Sequence, residues 1–437
     1  MFKRLVLALL VLVVVGVVGI AVLAYRPALD PVTPPARTTF AAELVAKGEM
    51  LAGAGYCATC HTAPGGQRYA GGYAMTTGFG TIWSTNITPD PETGIGRWSE
   101  AAFRRALHEG VARDGSHLFP VFPYQHFNQV DDADISALYA YFMTRDPVSA
   151  PARKPDMAFP LNVRALQAGW KLLYFRDGAY GPITGKSAQW NRGAYLAEGL
   201  AHCSACHSPR NALGAEQLDA HRYTGAVVDN WYAPPLDRSN PAPLRWSEDE
   251  LYAYLRHGAT PLHGVAAGAM AEVVNGLRKL PDDDLRAIAV YFAERAGAVD
   301  DAASTAALAR ALSTSAQAAQ PAGDPGARLF ASACASCHYN RAPQPQTERP
   351  ELGLNSAVTA ADPSTLIQVI LHGVSIDDGL PGVMMPGFAH ALDDEEIATL
   401  AAWLRRTRSE QPPWPDLPRT VAALRAAKAP RLTAAQP

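Results

Sequence analysis

The stretch CATCH at residues 57–61 recurs as CSACH at 203–207 and as CASCH at 334–338, and the three copies use every cysteine of the chain. Cys-x-x-Cys-His is the attachment pattern for a c-type haem. Two thiols one helical turn apart form thioethers to the porphyrin, and the next histidine ligates the iron. Zinc sites use matched cysteine pairs, and disulfides leave the histidines unexplained. The pattern therefore predicts three covalently bound haem c groups.

The predicted haem residues follow directly from the motif. The predicted thioether residues are Cys57, Cys60, Cys203, Cys206, Cys334 and Cys337. The predicted proximal iron ligands are His61, His207 and His338.

The sequence around each motif is repeated as well. A helical stretch with glycine and apolar residues precedes each motif, and each copy closes with an acidic cap and an apolar helix: DDADISALYAYF, PDDDLRAIAVYF and DDEEIATLAAWL. Aspartates at a helix start accept free backbone amides, and the glycines would let the first helix pack closely on the last. The repeat predicts a mainly α fold of three tandem class I cytochrome c domains after an N-terminal transmembrane helix.

Composition sets the predicted boundaries. The haem domains cover residues 40–150, 187–300 and 323–410. An alanine-rich segment, AASTAALARALSTSAQAAQPAGDPG, is typical of a tether between the second and third domains. Three other segments complete the chain: a membrane anchor or signal peptide (1–25), an interfacial linker (151–186) and a C-terminal tail (411–437) suited to wrapping a partner.

The N-terminal segment is apolar from Leu5 to Ala24 and follows two basic residues, Lys3 and Arg4. A spanning helix needs ~20 apolar residues, so we expect an inner-membrane anchor with the haem domains on the periplasmic side. Cleavage after Ala24 is the alternative. A second segment, AFPLNVRALQAGWKLLYF (158–175), suits a helix at an interface with lipid or another subunit, or a helix buried within the chain. A net charge of −3 argues against nucleic acid as a partner.

The distal iron ligands are predicted from the loop before each closing helix. Met270 is predicted for the second haem and Met385, beside Pro386, for the third. A Met/His iron has a raised potential. Met384 is the alternative for the third haem, and for both sites a core methionine that fills a gap is the structural alternative.

The first domain lacks this methionine. Its loop is HLFPVFPYQHF (117–127), with Phe122 at the expected position. His126 is the predicted ligand; Met75, His117 and an open or weakly ligated iron are alternatives. Bis-histidine ligation would make the first haem the easiest of the three to oxidise, because it lacks the methionine that raises potential.

One further histidine recurs in each repeat. These histidines are His108, His257 and His372. Their equivalence across the three domains favours a structural hydrogen bond over a role as metal ligands.

Three segments carry a family resemblance: NITPDPETGIGRWS (86–99), WNRGAYLAEGLAHCSACHSPRNALGAE (190–216) and NWYAPPL (230–236). With them the chain resembles the trihaem cytochrome c subunits of bacterial membrane-bound periplasmic dehydrogenases. The resemblance implies a catalytic dehydrogenase subunit as partner, and ubiquinone or a terminal oxidase as electron acceptor.

One departure bears on the partner. The quinoprotein alcohol dehydrogenase type has LYPAMPY where this chain has LFPVFPY. That form is similar to cytochromes paired with molybdopterin aldehyde or N-heterocycle dehydrogenases, whose partners are a molybdenum subunit and an iron–sulfur subunit. The alcohol dehydrogenase type and flavin-dependent sugar dehydrogenases are alternatives. Electron transfer without substrate chemistry is the predicted function; a haem peroxidase with an open first iron and a diffusible carrier are the other hypotheses.

Overall fold

The computed structural model describes residues 2–297, 299–318, 323–338, 350–374 and 385–427, without the side chains at 8, 9, 12–14, 17, 20 and 23. The chain forms two compact units. The first comprises Met1–Pro182 with Glu198–His202, and the second comprises Ile183–Ala197 with Cys203–Pro437. Helices predominate and the strands are short, so the mainly α class is confirmed. The division into three domains stays a prediction.

The first unit contains seven α-helices and three strands within the described residues. The helices are α1 (Phe2–Ala24), α2 (Ala42–Ala54), α3 (Cys57–Cys60), α4 (Glu100–Glu109), α5 (Tyr124–Phe127), α6 (Asp132–Met143) and α7 (Gln167–Tyr174). The strands are β1 (Ala74–Thr77), β2 (Gly80–Trp83) and β3 (Asp156–Met157), which form one antiparallel sheet in that order.

The second unit contains two successive helical groups. The helices are α8 (Ala188–Tyr195), α9 (Ser204–His207), α10 (Glu248–His257), α11 (Ala269–Leu277), α12 (Asp282–Ala296), α13 (Asp301–Ala318), α14 (Pro325–Ala333), α15 (Ala335–His338), α16 (Ser356–Thr359), α17 (Ser364–His372), α18 (Asp394–Arg408) and α19 (Leu417–Ala426). Two antiparallel hairpins accompany them: β4 (Ala226–Val228) with β5 (Trp231–Ala233), and β6 (Ala259–Thr260) with β7 (Gly264–Val265).

The same helix crossing occurs three times, between α2 and α6, α8 and α12, and α14 and α18. A glycine lies at each crossing, and a β-carbon there would overlap the partner helix. The β-carbon would lie 1.9 Å from the Ala137 carbonyl oxygen at Gly48, 1.9 Å from the Ala287 carbonyl oxygen at Gly193, and 2.3 Å from Trp403 Cβ at Gly326. The sequence prediction of close packing at these glycines is confirmed.

Aspartate caps begin two of the three closing helices. Asp131 accepts the backbone amide of Asp134 at the start of α6, and Asp393 forms a reciprocal capping box with Glu396 at the start of α18. Pro281 holds the corresponding position before α12 and has no side-chain acceptor. The predicted aspartate cap is therefore correct for the first and third repeats and wrong for the second.

The predicted tether and the C-terminal tail both contain helices that pack on the rest of the second unit. The alanine-rich tether contains α13, which packs on α18 and buries Ala307. In the tail, Trp414 and Val421 are buried in the core of the third haem region, and Trp414 Nε1 donates to the Ala360 carbonyl at 3.0 Å. The tail up to residue 427 thus covers its own domain, because its apolar residues recur at helical spacing and fit that core.

The first helix, α1, exposes large apolar side chains, among them Leu5, Val15 and Val22. Across the residues that the structure describes, none of the helices combines the length and hydropathy required to cross a membrane. The predicted anchor is not confirmed by this finding and stays a prediction.

The glycine crossing generates a stability prediction. Replacing Gly48 by alanine should destabilise the first unit by about 1–3 kcal/mol, because the added methyl group would overlap backbone atoms of the partner helix that cannot move away. Gly169, a helical glycine at which an added β-carbon would meet no atom within 4 Å, is the matched control. Its replacement by alanine should be neutral or stabilising. Thermal unfolding of both variants measures the difference, and equal stabilities would contradict the packing argument.

Candidate haem sites

Each Cys-x-x-Cys-His motif lies on a short helical turn. The backbone amide of the histidine donates a hydrogen bond to the carbonyl oxygen of the first cysteine, with N···O distances of 3.0 Å for His61, 3.1 Å for His207 and 2.9 Å for His338. This bond places both thiols and the imidazole around a single turn. All six cysteines are free of disulfides, so each pair remains available for thioether formation.

The three proximal histidines share one hydrogen bond. Nδ1 lies close to a backbone carbonyl oxygen, at 2.7 Å for His61 and Thr85, 2.7 Å for His207 and Pro234, and 3.4 Å for His338 and Pro350. An Nδ1–H that donates to a carbonyl fixes the ring orientation and the tautomer, and it leaves the Nε2 lone pair for a metal. The third contact is longer and therefore weaker.

A left-handed glycine brings the accepting segment close in the first two copies. Gly71 has φ +76° and donates its amide to the His61 carbonyl at 2.7 Å. A β-carbon at Gly71 would lie 2.5 Å from the Thr85 carbonyl carbon. Gly225, with φ +87°, donates in the same way to His207 at 2.8 Å. Glycine is required at both positions because other residues are strained there and would push the acceptor away.

Burial sets the protonation state of these groups. It lowers the pKa of all three proximal histidines, and the hydrogen bond to the carbonyl offsets this effect only in part. The imidazoles are therefore neutral, which is the form that binds iron. Burial also raises the pKa of Cys57 to about 12 and that of Cys206 to about 11. A reactive redox cysteine has the opposite shift, so the thiols do not resemble a thioredoxin-type pair.

Buried polar groups without hydrogen-bond partners in the second copy fit a haem. Among the described residues, Trp231 Nε1 and both ring nitrogens of His263 are buried without a hydrogen-bond partner. Trp231 precedes the Pro234 acceptor on the chain and also packs against Gly268, beside Met270. Buried donors need acceptors, and haem propionates are acceptors of this kind. A haem c held by these residues would supply reversible one-electron chemistry at its iron.

Sequence reasoning missed His263 and Trp231. His263 stacks on Trp246 with ring centroids 3.7 Å apart and an interplanar angle of 14°. Burial lowers its pKa to about 3, so this ring is also neutral. The signal that could have found it is the shared spacing from the motif: His117 and His263 each lie 56 positions after the proximal histidine.

The two predicted distal methionines lie at element ends. Met270 is at the start of α11 and packs on a small cluster that includes Ala266 and Val274. Met385 forms a two-way backbone bridge with Val374, with N···O distances of 2.8 and 3.0 Å. The alternative, Met384, lies outside the described residues.

His126 lies in the short helix α5 and is 2% exposed. Its Nδ1 is 2.9 Å from the carbonyl oxygen of Glu198, which belongs to the same compact unit. This contact has the form that orients the proximal histidines, with Nδ1 bound to a backbone carbonyl. Iron ligation by His126 stays a prediction.

The alternatives for the first haem have other surroundings. His117 uses both ring nitrogens: Nε2 donates to the Ala24 carbonyl at 3.0 Å, and Nδ1 accepts from Lys171 Nζ at 3.0 Å. Met75 pairs with Ile82 in the β1–β2 hairpin, which leads directly into the Thr85 acceptor of His61. Met75 therefore belongs to the segment on the Nδ1 side of His61, and His117 is held by structural hydrogen bonds.

The recurring histidine has its predicted structural bond in the first repeat. His108 Nε2 donates to the carbonyl of Val130, just before the closing helix, at 2.8 Å. In the other repeats an arginine takes the equivalent carbonyl: Arg256 bonds to Leu280 and Arg425 to Leu392. His372 Nε2 is buried without a partner among the described residues, so the predicted histidine bond is not seen there in the third repeat and stays a prediction.

Comparison with known families agrees with this geometry. A family model described as "Cytochrome c" matches residues 45–146. A second model, described as "Cytochrome C oxidase, cbb3-type, subunit III", matches residues 321–404. The two matches cover the first and third motifs.

Three relatives are similar over longer stretches. A nicotinate dehydrogenase subunit of Pseudomonas putida is 46% identical over 406 residues, 92% of this chain, and the chain spans only 34% of that protein. "Alcohol dehydrogenase (quinone), cytochrome c subunit" of Gluconacetobacter polyoxogenes is 37% identical over 389 residues, covering 85% of this chain and 81% of the relative. A "Diheme cytochrome c-type" protein of Cereibacter sphaeroides is 40% identical over 255 residues, covering 56% and 84%.

These matches extend over most of the chain and agree with the repeated motif and its oriented histidines. The chain belongs to the family of dehydrogenase cytochrome c subunits, and it is an electron-transfer cytochrome subunit.

Proposed function

We propose that this chain carries three haem c groups and passes electrons from a periplasmic molybdenum-type dehydrogenase to ubiquinone or a terminal oxidase. The observation that carries the proposal is the repeated proximal arrangement: a neutral histidine next to two cysteines that form no disulfide, with Nδ1 facing a carbonyl, in three places. An imidazole ligand that stays neutral in both oxidation states of the iron suits fast one-electron transfer, because the ligand neither gains nor loses a proton.

The partner assignment rests on two observations. One relative is named as a nicotinate dehydrogenase subunit, and nicotinate is an aromatic N-heterocycle. The first distal loop, with Phe122 and His126, also departs from the methionine pattern of the alcohol dehydrogenase type. A quinoprotein alcohol dehydrogenase or a flavin-dependent sugar dehydrogenase is the second candidate, favoured by the relative from Gluconacetobacter.

A haem peroxidase is disfavoured by the first distal loop. Phe119 and Phe127 are buried there, and the rings of Phe122 and Phe127 are 5.4 Å apart. Peroxide cleavage requires polar distal groups that stabilise developing charge. The phenylalanines of this loop supply no such group, and its His126 is proposed as an iron ligand and not as a free polar group beside an open iron.

The proposed location is the inner membrane, with the haem domains on the periplasmic side. The support is the uncharged run Leu5–Ala24 after Lys3 and Arg4. The apolar side chains that α1 exposes to its surroundings would be covered by lipid.

The haem count generates the first prediction. The denatured full chain should retain the mass of three haems, because thioether bonds survive denaturation. A Cys203→Ala and Cys206→Ala double variant should retain two. Intact-mass spectrometry measures both, and a wild-type chain with only two haems would contradict the proposal.

The second prediction concerns the distal ligand of the first haem. We expect His126→Ala to convert one of three low-spin haems to a high-spin form, because one iron loses a ligand, and we expect added imidazole to restore it. Met75→Leu is the control and should leave the spectrum unchanged. EPR and optical spectra of the oxidised protein measure this, and three unaltered low-spin signals in His126→Ala would refute the assignment.

The third prediction concerns the partner dehydrogenase. The native complex, purified through this chain, should contain molybdenum, and its substrate should reduce the haems in a rapid-mixing experiment. Metal and cofactor analysis distinguishes the candidates. Pyrroloquinoline quinone or flavin in place of molybdenum would overturn the partner assignment and leave the electron-transfer function intact.

A further inference from the structure

Helix α7 has its polar and apolar faces reversed. Leu172 and Leu173 are 61% and 59% exposed, and Leu166, just before the helix, is exposed as well. The single charged side chain of the helix, Lys171, turns inward. A helix on a water-facing surface has the opposite arrangement, so the outer face of α7 is not built for water.

The apolar surface continues into the loop before the helix. Phe159 is 82% exposed, and Leu161 and Val163 are exposed beside it. With Leu166, Leu172 and Leu173 they make six exposed large apolar side chains within residues 159–173. Single exposed apolar residues are ordinary, but this many on one short segment indicate a contact surface. We call residues 158–175 the apolar ledge.

Hydrogen bonds fix the ledge to the end of the first helix. Lys171 Nζ donates to the Gly110 carbonyl at 2.9 Å and to His117 Nδ1 at 3.0 Å. The other ring nitrogen of His117 donates to the carbonyl of Ala24, the last residue of α1, at 3.0 Å. Helix α1 also contacts α7 and the preceding turn Arg164–Leu166. The ledge therefore lies where the apolar helix ends.

The charge of this region is complementary to an anionic surface. Residues 151–176 contain five basic residues and one acidic residue, although the whole chain has a net charge of −3. Four of the basic residues, Arg153, Lys154, Arg164 and Arg176, flank the apolar side chains, whereas Lys171 turns inward and adds no charge to the outer face. Apolar side chains flanked by basic groups are typical of segments that lie in the interface of a membrane with anionic lipids.

We propose that the apolar ledge is a second membrane contact, which lies in the outer-leaflet interface beside the end of α1. The inference rests on the membrane location proposed above. It adds a specific orientation: the face of the first unit that exposes Phe159, Leu172 and Leu173 is directed at the lipid. Trp170 and Tyr174 are half-buried on the same helix, with ring centroids 5.2 Å apart. Amphipathic aromatic side chains of this kind are enriched at membrane–water interfaces.

The test is photolabelling of the full haem-loaded chain in vesicles of phosphatidylethanolamine and phosphatidylglycerol. The probe is a phospholipid with a diazirine in its acyl chain, and adducts are located by peptide mass spectrometry. We expect adducts on both Phe2–Ala24 and the ledge. The peptides that contain Leu213 and Val227, each 53% exposed, are the internal control and should carry none.

The outcomes separate the ledge from the anchor. Adducts on α1 alone would overturn the ledge and retain the anchor, and adducts on neither would overturn both. Adducts that disappear from the ledge in the native complex would assign this face to a protein partner and also overturn the inference.

A variant pair provides the second test. Leu172→Asn with Leu173→Asn should remove most ledge adducts while α1 adducts persist, and Leu213→Asn should change neither. Unaltered haem spectra show that the variants fold. Equal ledge labelling in the double variant and the wild type would contradict the proposal.

Discussion

The hydrogen bond between the histidine of each Cys-x-x-Cys-His motif and a backbone carbonyl organises the region around that motif. In the first two copies the same parts produce it: a Cys-x-x-Cys-His turn, a left-handed glycine that bonds to the histidine carbonyl, and a segment after a hairpin that presents the acceptor. The bond holds a buried, neutral imidazole with Nε2 available, which is what a low-spin electron-transfer iron requires.

The helices around this bond serve to hold the motif rigidly. The glycine crossings at Gly48, Gly193 and Gly326 bring the helix before each motif onto the closing helix at backbone contact. Close packing leaves few alternative arrangements. A redox centre benefits from such rigidity, because an electron transfer that needs no structural rearrangement is fast. The distal loops vary more than the crossings, and potential is tuned on the distal side.

The covalent chemistry was readable from the sequence, because a five-residue motif encodes it locally. Glycine crossings and two aspartate caps were also predictable from spacing. The tail was not, because the burial of Trp414 depends on a tertiary cavity that its own composition does not reveal. The sequence also does not reveal that Arg256 and Arg425 bind the carbonyl before the closing helix, which His108 binds in the first repeat. A backbone carbonyl accepts from any donor that reaches it.

A potentiometric optical titration of the purified full chain tests the central claim most directly. The account predicts three reversible one-electron reductions, with the first-domain haem lowest in potential because it lacks a methionine ligand. Fewer than three waves, or a reduced iron that binds carbon monoxide, would contradict an electron-transfer subunit with three fully ligated haems.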